Sequence, residues 1–203
     1  LMTIDPPFLA CWCWALVAVT RAVERESRGW WAVAGVCGAL GVLAKYPMLL
    51  LPAAVLGFLV RHRRIELRRP GVWVFLAVTA LGCMPIVVWN AGHDWLSVRH
   101  TLGQSGVGDG VKPRPTSVGN LVQFVGAQAG LLLGTGLAAV AAAAWAFRHT
   151  RDSRLSLVWW ATVPVWGVFL IASARNPGQP NWPAAAYVGG AVLVAAWLRE
   201  RLP

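Results

Sequence analysis

The chain has 203 residues, of which 57% are hydrophobic and only 13% charged, and its formal net charge is +10. An ordinary soluble domain is nearer half apolar and a quarter charged, and here long uncharged stretches separate short charge clusters, which excludes a water-soluble globule and fits repeated bilayer crossings. The positive balance does not indicate nucleic acid, because the basic residues flank apolar segments, where the orientation-setting charges of membrane proteins sit.

The chain opens at Leu1 and enters an apolar run within seven residues, with no cleavable signal peptide, so it reads as a fragment lacking its amino-terminal part. Seven apolar segments follow, at about 8–20, 30–44, 47–60, 71–90, 121–147, 155–173 and 183–198. They predict an all-α, polytopic membrane protein with a single transmembrane domain over 1–203. Only Lys45-Tyr46-Pro47 separates the second from the third, so two short helices and a hairpin that stops before the far surface both fit. Pro52, Pro85 and Pro164 lie inside segments and predict kinks. Gly126, Gly130 and Gly134 form a small-xxx-small stripe suited to close helix packing. Residues 91–120 form a long loop rich in Gly, Pro and Ser, which reads equally as a lid or as an ordinary mobile loop. Cys11, Cys13, Cys37 and Cys83 all lie within apolar segments and imply neither a disulfide nor a metal site.

Orientation follows from Lys and Arg. The clusters Arg21/Arg25/Arg28, Arg61/Arg63/Arg64/Arg68/Arg69, Arg148/Arg151/Arg154 and Arg199/Arg201 hold 13 of the 18 basic residues, which places them in the cytoplasm. Residues 1–7, the Lys45 apex, loop 91–120 and the turn 174–182 then share the extracytoplasmic face. On that face lie Asp5, Lys45, Asn90, His93, Asp94, Arg99, His100, Arg175, Asn176, Gln179 and Asn181. Lys45 stands out, because an isolated cation at membrane depth needs a partner or a function; snorkelling to the headgroups is the plain alternative. Asp5, before Pro6-Pro7, suits a helix N-cap and equally a ligand to a sugar hydroxyl, an acceptor or a metal. Trp89-Asn90-Ala91-Gly92-His93-Asp94-Trp95 fits an interfacial belt or the rim of a substrate cavity. The turn from Arg175 to Pro183 combines a cation, amides that can read hydroxyls, and Trp182, which can stack on a sugar face. His93 and His100 lack the further ligands a metal centre needs, and no cofactor is predicted; a divalent metal stays open.

Four phrases taken together resemble one family: Thr3-x-Asp5-Pro6-Pro7, Gly38-Ala39-Leu40-Gly41-Val42-Leu43-Ala44-Lys45-Tyr46, Pro85-Ile86-Val87-Val88-Trp89-Asn90, and Pro180-Asn181-Trp182-Pro183-Ala184. They are similar to bacterial members of glycosyltransferase family 39, the dolichyl-phosphate-mannose protein mannosyltransferase-like group, to which the aminoarabinose lipid A transferases are related. The resemblance implies a GT-C-type helical bundle in the bacterial inner membrane with an extracytoplasmic active face. It further implies transfer of a sugar, with inversion, from a polyprenyl-phosphate donor to a lipid, protein or glycan acceptor. By that resemblance Asp5 is the second acidic position, orienting sugar or acceptor, and Lys45 holds the lipid phosphate, where a fixed cation stabilises the charge that develops. Arg99 and Arg175 are further phosphate partners on charge and sidedness, and Asn90, His93, Asp94, Asn181 and Trp182 frame the pocket. The family's usual general base, an acidic residue in the first external loop, would precede Leu1. A lipid-linked sugar transporter and a non-catalytic membrane scaffold are the rival readings.

Overall fold

The structure, a computed structural model, describes residues 4–104, 116–176 and 178–201. Thr3 of the first family phrase, residues 105–115 of the expected long loop, and Pro177 of the turn fall outside the described residues. Ten α-helices stand among the described residues: α1 (Asp5–Arg25), α2 (Arg28–Ala44), α3 (Leu50–His62), α4 (Pro70–Leu81), α5 (Met84–Ala91), α6 (Leu96–Gln104), α7 (Val118–Leu131), α8 (Thr135–Ala146), α9 (Ser153–Ser173) and α10 (Ala184–Arg201). Short 3-10 turns at Tyr46–Leu49 and Arg64–Arg68 lead into α3 and α4.

Helix limits follow from local chemistry. Pro6-Pro7 start α1, where their missing N–H groups cost nothing. Its end is the left-handed Glu26 at φ 50°, and Ser27 then caps α2. α2 stops at Lys45, whose extended backbone and following Tyr46-Pro47 turn the chain back. Side-chain capping recurs at α9, where the Asp152 carboxylate accepts from the N–H groups of Arg154 and Leu155.

Three stretches are long and apolar enough to cross a membrane: Asp5–Arg25, Pro70–Ala91 and Ser153–Ser173. The pair α7 and α8 makes a fourth if taken as one span, and α2 and Tyr46–His62 are shorter apolar helices. Length and composition thus give three or four spans, where the sequence predicts about seven. The expected segment 121–147 is two helices bent by 102° at Leu132–Gly134, with Leu133 and Gly134 both at positive φ. The expected segment 71–90 divides at Gly82-Cys83 into α4 and α5, and the expected loop 91–120 contains α6. Pro164 leaves α9 a single helix of 21 residues.

The core sits around α1. Phe8, Trp12, Ala15, Val19 and Ala22 on its inner face are fully buried, joined by Trp31, Phe58 and Phe75. α2 and α4 approach closely because Gly38 leaves room for the Thr79 side chain, which a methyl group there would overlap. A methyl group at Gly126 or Gly130 would meet nothing within 4 Å among the described residues, so no close approach needs those glycines, and Gly134 serves the bend instead. Outward, Trp14, Leu81 and Ile171 are each more than 60% exposed. An apolar exterior around an all-helical backbone is the surface a bilayer requires, and the chain is an all-helical membrane protein.

The helices sort the polar residues to two ends. At one, Arg69 pairs with Glu26 (2.9 Å) and Glu66 (2.6 Å), and Arg154 with Glu24 (2.6 Å), tying the α1–α2 turn to the starts of α4 and α9. At the other, Ile4 before α1, the α2–α3 connection, α6, the end of α9 and Trp182 before α10 surround a cavity.

Candidate active site

That cavity has a volume of about 470 Å³ and lies between the α2–α3 connection, α6 and the end of α9. Its walls are mostly aliphatic and aromatic, with Val42, Ile86, Val168, Phe169 and Trp182 among them. Polar groups enter from two sides: Lys45 and Tyr46 from the apex after α2, and His100, Thr101 and Gln104 from α6.

Lys45 is held by a chain of contacts. Its ammonium donates to Asp5 Oδ1 at 2.6 Å, and Asn181 Nδ2 donates to the other carboxylate oxygen at 2.7 Å. The Lys45 and Asp5 side chains are only 12% and 18% exposed, and the ammonium lies 5.8 Å from the Phe8 ring centroid. Three chain segments that are remote in sequence are therefore joined at one carboxylate, that of Asp5. An ammonium has three donors, so the bond to Asp5 leaves donors for a ligand in the cavity that Lys45 lines. The partner-or-function account of Lys45 is thus met by a partner, and the N-cap account of Asp5 fails: Ile4 holds the N-cap position of α1, and Asp5 is the first helical residue.

The remaining sequence candidates divide. Trp182 lines the cavity, 6.3 Å from Phe169 between ring centroids, and packs over Gly178, whose φ of 65° and lack of a Cβ both suit that contact. Asn90 is fully buried and is no rim residue: its Oδ1 accepts from the Ser97 N–H (3.2 Å) and hydroxyl (2.9 Å), and its Nδ2 donates to the Ile86 carbonyl. It therefore fastens the start of α6. His93 stacks on Trp89 at 4.2 Å and is exposed, as are Asp94, Arg99 and Arg175. None of these four lines the cavity. The Arg175 carbonyl instead accepts from Asn120, at the start of α7.

Sequence reasoning missed Tyr46, whose hydroxyl meets Ser97 Oγ at 2.8 Å, and Gln104, whose side-chain nitrogen lies 2.9 Å from His100 Nε2. The signal for Tyr46 was its place beside Lys45. Gln104 gave none, because composition alone makes α6 look like part of a loop.

Comparison with known proteins shows which proteins the chain is similar to. Residues 1–89 match the family model described as dolichyl-phosphate-mannose-protein mannosyltransferase. That stretch contains Asp5, Lys45 and Tyr46. Over 191 residues, 91% of the chain, the sequence is 30% identical to the lipid A galacturonosyltransferase RgtD of Rhizobium johnstonii. The chain spans 38% of that relative's length. No solved structure matches it. The resemblance drawn from the four sequence phrases is borne out: the chain is similar to mannosyltransferase-like and lipid A-modifying glycosyltransferases.

Proposed function

We propose that this chain is part of a GT-C-type membrane glycosyltransferase that moves a sugar from a polyprenyl-phosphate donor to an acceptor, with the cavity beside Lys45 as the donor site at the extracytoplasmic face. The observation that carries the reading is a partly buried, ion-paired lysine at the wall of an apolar cavity. A lipid phosphate needs a cation, and its isoprenoid chain needs apolar walls. In inverting transfer an acceptor hydroxyl attacks the anomeric carbon while its proton passes to a general base, the bond from that carbon to the phosphate oxygen breaks, and the lipid phosphate leaves with the electron pair. Lys45 stabilises the negative charge that grows on the leaving phosphate. Asp5 and Asn181 hold the ammonium in place, and Trp182 offers a stacking face for the sugar. The name of the lipid A galacturonosyltransferase relative favours a glycolipid of lipid A type as acceptor.

The test is transfer of radiolabelled sugar by the full-length parent in membranes. Lys45→Ala should lower the rate about 100-fold or more with normal membrane insertion; an unchanged rate would remove Lys45 from the mechanism. Vesicle flux of the lipid-linked sugar without transfer would favour a transporter.

A further inference from the structure

At the arginine-rich end a second cavity, of about 210 Å³, opens between the end of α3, the turn after α8 and the start of α9. Arg61, His62, Arg148 and His149 line it together with Trp159 and Trp160. The floor is fixed. Trp159 Nε1 donates to the Ala144 carbonyl at 2.9 Å, binding α9 to α8, and Trp160 lies against Gly57 of α3, where a methyl group would overlap the ring. The Arg148 guanidinium is also oriented, stacked 3.9 Å from the Trp145 ring centroid and donating to the Trp145 carbonyl at 2.6 Å.

Two arginines at this end are paired with carboxylates. Arg69 is matched by Glu26 and Glu66, and Arg154 by Glu24, while Asp152 caps α9. No carboxylate lines the cavity among the described residues. A preformed cationic cleft with an aromatic floor, set where helices end at the membrane surface, matches an anion that carries an apolar body. Basic pockets between membrane helices take lipid headgroups by this chemistry, and Trp prefers the headgroup level of the bilayer. Free phosphate would gain nothing from the indoles.

We propose that this cavity binds the phosphate headgroup of an anionic phospholipid, with Arg61 and Arg148 flanking the phosphate and Trp159 and Trp160 lying against the glycerol. The site is separate from the Lys45 cavity and stands whether or not sugar transfer is demonstrated.

The full-length parent, reconstituted in nanodiscs of phosphatidylcholine and phosphatidylglycerol, is extracted and examined by native mass spectrometry, with and without excess inorganic phosphate. Wild type should retain phosphatidylglycerol through extraction, in the presence of phosphate as well. The double variant Arg61→Gln/Arg148→Gln should retain about tenfold less. Arg61→Lys/Arg148→Lys should retain most of it, and so should Arg199→Gln/Arg201→Gln, which removes equal charge elsewhere on the same end. Equal loss in both glutamine variants, or displacement of the lipid by inorganic phosphate, would overturn the proposal. A photoreactive phosphatidylglycerol on the unaltered protein gives an answer independent of variant folding. Adducts concentrated in peptides around Trp145 to Trp160 support the site, and adducts spread evenly over the helices refute it.

Discussion

Lys45 and Asp5 form a pair whose two members have unequal tasks. Lys45 lines the cavity and Asp5 does not, so in the proposed reaction Asp5 would act on a ligand through Lys45. Asp5→Asn should lower sugar transfer by about tenfold, less than Lys45→Ala, and should cost about 1.5–3 kcal/mol of stability, the usual worth of a hydrogen bond to a charged group. Rate assays and thermal melts on the two variants check this order. A loss in Asp5→Asn at least as large as in Lys45→Ala would mean that the carboxylate itself meets the reacting groups. Asn181 anchors the second carboxylate oxygen from 176 residues away. Asn181→Ala should therefore behave as a weaker copy of Asp5→Asn, with transfer reduced and Lys45 still paired.

At the scale of elements, α6 is fastened at its start by a buried amide. Asn90 satisfies groups at the start of α6 while also bonding back into α5, so Asn90→Leu leaves those donors without an acceptor at a cost of about 1–3 kcal/mol. Hydrogen exchange over residues 96–104 should accelerate in that variant while α1 stays protected; uniform change across the bundle would show that α6 is not a separable unit. Gly38→Val tests the α2–α4 contact in the same way and should destabilise by about 1–3 kcal/mol through overpacking against Thr79. These elements also show where sequence was readable. α1, α2 and α9 announce themselves as uninterrupted apolar runs, and Lys45 was conspicuous as a lone cation between two apolar segments. α6 was hidden because it is short, polar and fastened by Asn90 from outside its own sequence. The bend between α7 and α8 was hidden because apolar composition runs straight through Leu132–Gly134 while the backbone does not. No periodicity carries a contact such as Asp5 to Asn181, which exists only once α1 and α10 start at the same end.

For the whole molecule, the account rests on two chemically distinct ends. One gathers Asp5, Lys45, Tyr46 and Trp182 about an apolar-walled cavity; the other gathers the arginine clusters and their glutamate partners. Positive charge at helix ends favours the cytoplasm, so the Lys45 cavity should open on the opposite surface, where lipid-linked sugars would be consumed. The most direct measurement is labelling by a membrane-impermeant maleimide in a full-length parent whose native cysteines are replaced, with single cysteines introduced as Asn181→Cys and Arg148→Cys. The account predicts that Asn181→Cys reacts in intact spheroplasts and Arg148→Cys reacts only after lysis. The reverse pattern would put the cavity on the cytoplasmic side and contradict the proposed function.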